Sequence, residues 1–280
     1  MEKRIMTKEM IRNFKNHLIE DEKSSATLEK YMRDVYTFAE YIHGRALDKS
    51  LVLDYKSHLE KNYAIRSANS MIAALNSFFR LCGWYDLCVK QFKVQKEAYC
   101  SEEKELTKQE YTALVRTAEK KNNERLSLVL QTICGTGIRV SELQYITVEA
   151  VQKGEAVVSC KGKTRKIFIV NALRKKLLQY AKNKKIKDGI IFLTKSGKAL
   201  NRSNIWREMK ELCKQAGVSP KKVFPHNLRH LFARTFYGIE KDIAKLADIL
   251  GHSNINTTRI YIITSGAEHQ RRLENMRLII

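Results

Sequence analysis

Apolar residues recur every three or four positions through the first 81 residues of the chain, which is the spacing of amphipathic helices. No stretch before residue 90 alternates apolar and polar residues in the manner of a half-buried strand. Thr7 is placed to cap the first apolar run, and Gly44 is placed to end the second. We therefore predict an all-helical bundle with helices at about residues 7–20, 26–43, 49–60 and 67–81.

The polar residues 95–105 lack this periodicity and are typical of a linker. A chain of 280 residues is long for one ordinary domain, so we expect two domains, at residues 1–98 and 99–280. Beyond the linker, Thr107 and Glu110 fit a capping box that opens another helix. Further helical runs follow at residues 126–134, 171–184, 203–216, 227–236, 242–250 and 256–261.

The periodicity changes between residues 156 and 170. The runs AVVSC and KIFIV flank the basic sequence KGKTR at residues 161–165, which predicts a β-hairpin with a basic tip. GIIFLT, at residues 189–194, is expected to form a third short strand. The predicted fold class is therefore mainly α, with an N-terminal helical bundle and a mainly helical second domain that contains a small antiparallel β-sheet.

Basic residues outnumber acidic residues by 52 to 30, which gives a net charge of +22 and an isoelectric point near 9.7. The excess is uneven, because residues 1–100 carry 17 basic and 13 acidic residues (+4), whereas residues 101–280 carry 35 and 17 (+18). Such a charge favours a polyanionic partner. The basic residues form no amphipathic membrane anchor, so we expect nucleic acid, with a generally basic solvated surface as the alternative.

The six cysteines are scattered and include no CxxC pair, which argues against a zinc ribbon and against a disulfide framework. The N-terminal sequence MEKRIMTKEM lacks the apolar run of a signal peptide. No stretch approaches the roughly 20 apolar residues of a membrane span. These features favour a protein of the reducing cytoplasm.

Residues 223–263 contain the side chains best suited to phosphate chemistry. His226, Arg229 and His230 share one helical run. His252 and Tyr261 follow it in the chain. Arginine can clamp non-bridging oxygens, histidine can move protons, and a tyrosine phenol can act as a covalent nucleophile. One more arginine and one lysine would complete a phosphoryl-transfer site.

Two upstream stretches supply candidates for that arginine and lysine. Arg139 follows a Gly-Thr-Gly turn, where it is either a phosphate clamp or a surface arginine at a helix start. Glu142, one turn later, can orient a guanidinium or simply decorate the helix. Lys161 and Lys163 at the hairpin tip are alternative general acids, and a solvated basic turn is the plain alternative to both.

His226 and His230 are four residues apart on a helix, a spacing that can bind a metal. The metalloprotease motif needs a glutamate directly after the first histidine, and Asn227 stands there instead. No acidic residue lies between Glu211 and Glu240. We therefore expect no metal and no other cofactor, and His230 suits a buried core position as well as it suits catalysis.

Five stretches occur in the order found in one known family: ATLEKYMRDVYTF (26–38), TGIRVSEL (136–143), KGK (161–163), PHNLRH (225–230) and LGHSNINTTRIY (250–261). With them, the chain resembles the tyrosine recombinases of the phage integrase family over almost its whole length, and the Xer-like members in domain size. The resemblance implies a SAM-like, core-binding N-terminal domain and a C-terminal catalytic domain. By position, it implies the catalytic set Arg139, Lys161, His226, Arg229, His252 and Tyr261.

The resemblance also implies a role for each member of this set. Tyr261 would be the nucleophile, His226 the acceptor of its proton, and Lys161 the donor to the leaving 5′ oxygen. The two arginines would clamp the phosphate, and His252 would hydrogen-bond it. Cys160 replaces the first glycine of the family's GKGxKxR run, which leaves the choice of hairpin lysine open, and YIITS replaces the commoner Tyr-Thr-His run after the nucleophile.

The implied function is site-specific recombination through a covalent 3′-phosphotyrosine, without ATP or metal. It would serve the integration, excision or inversion of a mobile element, or the resolution of chromosome dimers. Exchanging four strands with one nucleophile per subunit implies a homotetramer across two DNA duplexes with inverted-repeat core sites, formed from a free monomer or weak dimer. We expect a cytoplasmic, nucleoid-associated enzyme without a membrane partner, whose amphipathic residues 267–280 pack on a neighbouring subunit.

Two other functions are compatible with these motifs. A type IB topoisomerase would use the same cleavage chemistry to relax supercoils without a partner duplex, but the size of the chain and its amphipathic tail count against it. A non-catalytic DNA-binding relative is disfavoured because all six catalytic positions are filled.

Overall fold

The computed structural model of the chain describes residues 4–94, 105–160, 163–194, 196–261 and 274–275, with only the backbone at residues 160 and 163. The chain divides into two compact units, Met1–Lys96 and Glu97–Ile280. Each unit has its own hydrophobic core. None of the helices in the described ranges combines the length and the apolar character that a membrane crossing requires.

Four α-helices form the described part of the first unit, within residues 4–94. Thr7, Ser24 and Asp48 each accept a hydrogen bond from the backbone N–H three residues later, which satisfies a donor that a helix start leaves unpaired. The predicted helical bundle is confirmed, and every helix ends within two residues of its expected bounds. The elements are α1 (Lys8–Glu20), α2 (Ser25–Ile42), α3 (Lys49–Asn62), α4 (Ile65–Leu81) and a short 3-10 helix, Tyr85–Leu87.

Aromatic rings fill the centre of the first unit. Phe14 of α1 meets Phe78 of α4 edge-on, with ring centroids 5.5 Å apart. Phe38 of α2 meets Tyr55 of α3 with centroids 4.9 Å apart. Each helix therefore contributes its apolar stripe to one core, and edge-to-face ring pairs add to the free energy gained from burial alone.

The second unit is mainly helical. The Thr107–Glu110 capping box is present, because each of these residues accepts a hydrogen bond from the backbone N–H of the other. The helices are α5 (Lys108–Lys120), α6 (Glu124–Thr136), α7 (Val148–Lys153), α8 (Asn171–Asn183), α9 (Arg202–Ala216), α10 (Pro225–Glu240), α11 (Ile243–Leu250) and α12 (Ile255–Arg259), and a 3-10 helix spans Val140–Tyr145. Helix α6 packs against α5, α8, α9 and α10, so it forms the centre of this unit.

The predicted hairpin is confirmed as an antiparallel pair of strands, β1 (Glu155–Cys160) and β2 (Lys163–Phe168). Val158 lies opposite Arg165, and Ala156 lies opposite Ile167. The basic tip, at residues 161–162, lies outside the described residues. Within the described part of the chain the sheet has these two strands only.

The prediction of a third strand at residues 189–194 is wrong. This segment makes two isolated bridges, Ile190 with Thr147 and Leu193 with Ala199, and no continuous ladder. Its apolar residues Ile191 and Phe192 are buried in the core of the second unit. The apolar run therefore reflects burial, and an apolar run alone does not distinguish a strand from another buried segment.

Helix α6 ends at Gly137, which has a left-handed φ of +66°. A Cβ at this position would lie 2.4 Å from Cδ1 of Phe232 on α10. Gly137 is therefore required twice, for its backbone conformation and for the close approach of α10 to the end of α6.

We expect Gly137→Ala to destabilise the second unit by about 2–5 kcal/mol, combining left-handed strain of about 1–2 kcal/mol with overpacking of about 1–3 kcal/mol. Gly154→Ala is the matched control, because Gly154 ends α7 with φ +81° and has nothing within 4 Å of a new Cβ. Gly154→Ala should therefore lose only the stability that the left-handed strain costs. Urea unfolding of both variants tests this account, and equal losses of stability would contradict the proposed clash.

Candidate active site

Helix α10 carries three of the candidate side chains: His226, Arg229 and His230. The helix begins at Pro225, a favourable first position because proline lacks an N–H that the first helical turn would leave unpaired. Spacings of three and four residues place the three side chains on neighbouring positions of one helix face. Helix α10 therefore forms one wall of the candidate site.

Arg229 is buried at the centre of this cluster, with 2% of the residue exposed. Its Nη1 donates to the backbone oxygen of Gly137 at 2.5 Å, and its Nη2 donates to the backbone oxygen of Leu250 at 2.7 Å. The same Nη2 lies 3.0 Å from Nε2 of His252. The guanidinium thereby joins the ends of α6 and α11 to α10, and its Nε has no hydrogen-bond partner among the described residues.

Burial, together with the nearby charge of Arg139, lowers the pKa of Arg229 to about 10. The Tyr261 phenol acts on this pKa in the opposite direction. Arg229 is therefore protonated at neutral pH, although burial disfavours its charge. An anion bound beside it would relieve that cost, because a buried charge is stabilised by an opposite charge.

His252 lies between Arg229 and Thr258, with its Nδ1 2.8 Å from Oγ1 of Thr258. A guanidinium can only donate, so Nε2 of His252 accepts from Arg229, and a neutral imidazole then donates from Nδ1 to Thr258. Burial and the neighbouring arginines lower the pKa of His252 to about 4, which keeps the ring neutral at pH 7. The hydrogen bonds and the pKa thus assign the same protonation state.

Tyr261 follows the end of α12 and is 5% exposed. Its backbone N–H donates to the backbone oxygen of Thr258 at 2.9 Å. Three imidazoles from the described residues pack around its ring, with centroid distances of 5.5 Å for His226, 4.3 Å for His230 and 5.6 Å for His252. The phenol is therefore held among groups that can accept or donate a proton.

His226 and His230 differ in their access to solvent. His226 is exposed, and desolvation of its ring followed by the charge of Arg229 lowers its pKa. His230 is half-buried, and burial, then His226 and Arg229, lower its pKa to about 4. The sequence is compatible with a core or a catalytic position for His230, and in the structure its ring packs against Tyr261. His226 is the histidine of this pair that a ligand from solvent can approach.

Arg139 directly precedes the 3-10 helix Val140–Tyr145. Its Nη1 lies 3.0 Å from Oε1 of Glu142, and its backbone N–H donates to Oε2 of the same side chain at 2.7 Å. Glu142 also binds Arg165 of β2, with 2.5 Å between Nη2 and Oε2. The Arg139 side chain is 42% exposed, so its guanidinium can contact a ligand while Glu142 holds it.

The structure brings together five of the six predicted site residues: Arg139, His226, Arg229, His252 and Tyr261. The charge of Arg139 lowers the pKa of the other arginine and of two histidines, which places it close to them. Lys161 lies outside the described residues, and only the backbone of Lys163, at the start of β2, is described. The role of each residue stays a prediction.

Sequence reasoning did not single out two residues of this cluster, Arg165 and Thr258. Strand alternation places Arg165 on the same inward face as the buried Ile167, so the period of two in β2 does signal a buried arginine. Thr258 is fully buried and lies three residues before Tyr261, hence on the same side of the last helical turn. That spacing is the only signal for Thr258 in the sequence.

The cluster of described side chains is cationic. It contains three guanidiniums, from Arg139, Arg165 and Arg229, and the Glu142 carboxylate binds the first two of them. No group of three or more histidine, cysteine, aspartate or glutamate side chains with the geometry of a metal site occurs in the described part of the chain. The arrangement suits an anion with several oxygens, such as a phosphodiester.

Two regions of the chain match known protein families. Residues 104–267 match the phage integrase family, and residues 11–84 match the SAM-like N-terminal domain of phage integrases. The chain belongs to the phage integrase family, the tyrosine recombinases. The resemblance seen in the motifs is thereby confirmed, as is the SAM-like character of the N-terminal helices.

Individual relatives agree with this membership. The tyrosine recombinase XerA of Pyrococcus horikoshii is 30% identical over 285 residues, covering 98% of this chain and 96% of the relative. The tyrosine recombinase XerD of Halalkalibacterium halodurans is 28% identical over 260 residues, covering 85% of this chain and 87% of the relative. The chain is thus similar to Xer recombinases over nearly their whole length.

Two solved structures share the fold. The crystal structure of XerA recombinase matches with a TM-score of 0.55 at 23% identity, covering 98% of this chain and 100% of that chain. A lambda integrase dimer bound to a COC′ core site matches with a TM-score of 0.74 at 17% identity, covering 92% of this chain and 78% of that chain. The predicted fold class, mainly α with a small antiparallel sheet, is confirmed.

The lowered histidine pKa values predict a pH dependence of stability. His230 and His252 have a pKa of about 4 when folded, against about 6.5 in an unfolded chain. At pH values between about 4 and 6.5 the unfolded chain binds more protons than the folded chain. The stability that the two neutral histidines contribute is therefore complete above about pH 6.5 and is lost as the pH falls toward 4. His230→Phe keeps a ring against Tyr261 and should make this loss less steep in urea unfolding of the second unit. An unchanged pH slope would contradict the assignment.

Proposed function

We propose that this protein is a site-specific DNA recombinase that cleaves and rejoins DNA strands through a phosphotyrosine intermediate. The observation that carries the proposal is the packing of Tyr261 among three imidazoles and beside the buried, protonated Arg229. A phenol in contact with proton acceptors and a cation suits nucleophilic attack on a phosphodiester. Membership of the phage integrase family supports the same reaction.

In the proposed first step, Oη of Tyr261 attacks the scissile phosphorus. The bond from phosphorus to the tyrosine oxygen forms as the bond to the DNA 5′ oxygen breaks, which leaves a 3′-phosphotyrosine and a free 5′ hydroxyl. The phenol proton passes to the neutral His226, and Lys161 protonates the 5′ oxygen, with Lys163 as the alternative donor. Because the phosphotyrosine conserves the bond energy, the 5′ hydroxyl of a partner strand can reverse the step without ATP.

Arg139 and Arg229 are the proposed donors to the non-bridging oxygens, where negative charge develops in the transition state. His252 would add a hydrogen bond from Nε2, and this nitrogen must then carry a proton. The hydroxyl of Thr258 can donate as well as accept, so it can hold either tautomer of His252. A phosphate that takes over the hydrogen bond from Arg229 would release Nε2 for this role.

The proposed substrate is double-stranded DNA with an inverted-repeat core site. Residues 1–98 would form the helical core-type DNA-binding domain and residues 99–280 the catalytic domain, and a net charge of +18 on residues 101–280 suits contact with DNA phosphates. Structures of related fold hold XerH on its difH substrate and a lambda integrase tetramer on a Holliday junction. By this likeness we infer a homotetramer in the synapse, assembled from a free monomer or weak dimer, in a nucleoid-associated cytoplasmic enzyme.

Residues 267–280 are proposed to pack on a neighbouring subunit in that tetramer. The support is the amphipathic pattern of the segment, which ends in Leu-Ile-Ile. Of this segment, the structure describes residues 274–275.

Integration, excision and inversion of a mobile element and the resolution of chromosome dimers would all use this chemistry. The Tn1549 transposon integrase shares the fold, with a TM-score of 0.71 at 18% identity, which favours the mobile-element reactions. Relaxation of supercoils in the manner of a type IB topoisomerase is the second candidate function, because it needs the same cleavage step.

A nicked suicide substrate tests the cleavage chemistry. Its duplex is one selected by this protein from a random-sequence library, with a nick placed so that the short fragment carrying the free 5′ hydroxyl diffuses away after cleavage. Wild type should accumulate a covalent protein–DNA adduct, and Tyr261→Phe should form none, because it lacks the nucleophilic oxygen. Tyr237→Phe is the control, since Tyr237 packs against the same apolar cluster as Tyr261.

An adduct that persists in Tyr261→Phe would contradict the assignment, and its absence from the wild type would favour a non-catalytic DNA-binding protein. Strand exchange between two duplexes that carry the selected site, scored beside relaxation of a supercoiled plasmid, separates the two catalytic functions. Exchange supports the recombinase, and relaxation without exchange supports the topoisomerase-like activity.

A further inference from the structure

Arg165 lies on β2 with its side chain 13% exposed, on the inward face of the hairpin. The two ends of its guanidinium bind different elements. Nη2 binds Oε2 of Glu142 at 2.5 Å, and Nη1 donates to the backbone oxygen of Ile249 near the end of α11. This forked arrangement ties the hairpin to the 3-10 helix after Arg139 and to the end of α11.

The partner of Arg165, Glu142, is a buried carboxylate with 4% of its side chain exposed. Its Oε1 binds the guanidinium of Arg139, and its Oε2 binds the Arg139 backbone N–H as well as Arg165. A buried carboxylate needs such partners, because leaving it unpaired costs free energy. Removing Arg165 would therefore disturb the group that orients Arg139.

The contact with α11 reaches the other side of the site. Helix ends leave their last carbonyls unpaired, and here two successive carbonyls are taken by arginines: Ile249 by Arg165 and Leu250 by Arg229. At the next residue, Gly251, a Cβ would lie 2.5 Å from Cδ of Arg165, so the arginine passes directly over the turn. The residue after this turn is His252.

We propose that Arg165 is a positioning residue of the phosphate site. It fixes Arg139 through Glu142, and it fixes His252 through the carboxyl end of α11. It acts through these two residues and does not itself contact the reacting atoms. The proposal rests on the proposed function, because it assigns Arg165 to the reaction of Tyr261.

Three variants test it. Arg165→Gln removes both charged hydrogen bonds. Arg165→Lys keeps the charge but cannot bind Glu142 and Ile249 at once, because an ammonium lacks the planar fork. Lys166→Gln is the matched control, since Lys166 is the next residue of the same strand, loses the same charge and has a side chain that is 60% exposed.

The measurement is single-turnover formation of the covalent adduct by the full chain on the nicked duplex selected by binding. Arg165→Gln should be slower than wild type by on the order of 10- to 100-fold, the usual effect of losing a residue that orients a reacting group. The rate of Arg165→Lys should lie between those of wild type and Arg165→Gln, and Lys166→Gln should react at the wild-type rate. Near-ultraviolet circular dichroism and binding to the same duplex show whether each variant is folded.

A second substrate distinguishes positioning of the phosphate clamp from a general structural role. A methylphosphonate at the scissile position replaces one charged non-bridging oxygen by a methyl group. Less negative charge then develops in the transition state, and the two arginines that stabilise this charge contribute less to the rate. The ratio of the wild-type rate of adduct formation to the Arg165→Gln rate should be at least about tenfold smaller on this substrate than on the phosphodiester. A structural defect would lower both rates equally.

Wild-type rates for Arg165→Gln on the phosphodiester, or an equal loss on both substrates, would overturn the positioning role. If Arg165→Gln does not fold, the same comparison is made with Arg165→Lys, and an equal loss on both substrates would again count against it. Failure of the wild type itself to form an adduct would count against the proposed function, so the two failures are distinguishable.

Discussion

The site depends on the burial of one guanidinium, that of Arg229. Its hydrogen bonds to the carbonyls of Gly137 and Leu250 and to His252 hold three segments that are far apart in the chain. A buried charge is costly unless hydrogen bonds compensate it, so the packing of α10 depends on the carbonyls that these segments supply. The contacts that join the ends of α6 and α11 to α10 therefore also bring the candidate site residues together.

This arrangement sets the chemistry of the surrounding groups. Burial and the positive charge of the arginines keep the pKa of His226, His230 and His252 below the ordinary value, so the rings can accept a proton at neutral pH. Tyr261 lies against all three rings. The donors and acceptors are thus preorganised, which is the condition under which fixed dipoles and charges stabilise a transition state most.

The sequence predicted the helices well, because apolar periodicity and capping residues such as Thr7 act locally. It also predicted the six site residues as a set, and five of them lie together in the structure. It failed at residues 189–194, where an apolar run is buried without a strand partner. It passed over Arg165 and Thr258, because their importance comes from contacts with Ile249 and His252 that only the fold brings near.

We propose that Arg229 organises the site and stabilises its transition state. The most direct test is the single-turnover rate of covalent adduct formation by Arg229→Lys, at saturating protein on the selected nicked duplex. Lysine keeps a positive charge but cannot donate to two carbonyls and a phosphate in one plane. We predict a rate lower than wild type by about 10²–10³-fold, the effect of losing one preorganised donor. A rate within a few-fold of the wild type would contradict the claim.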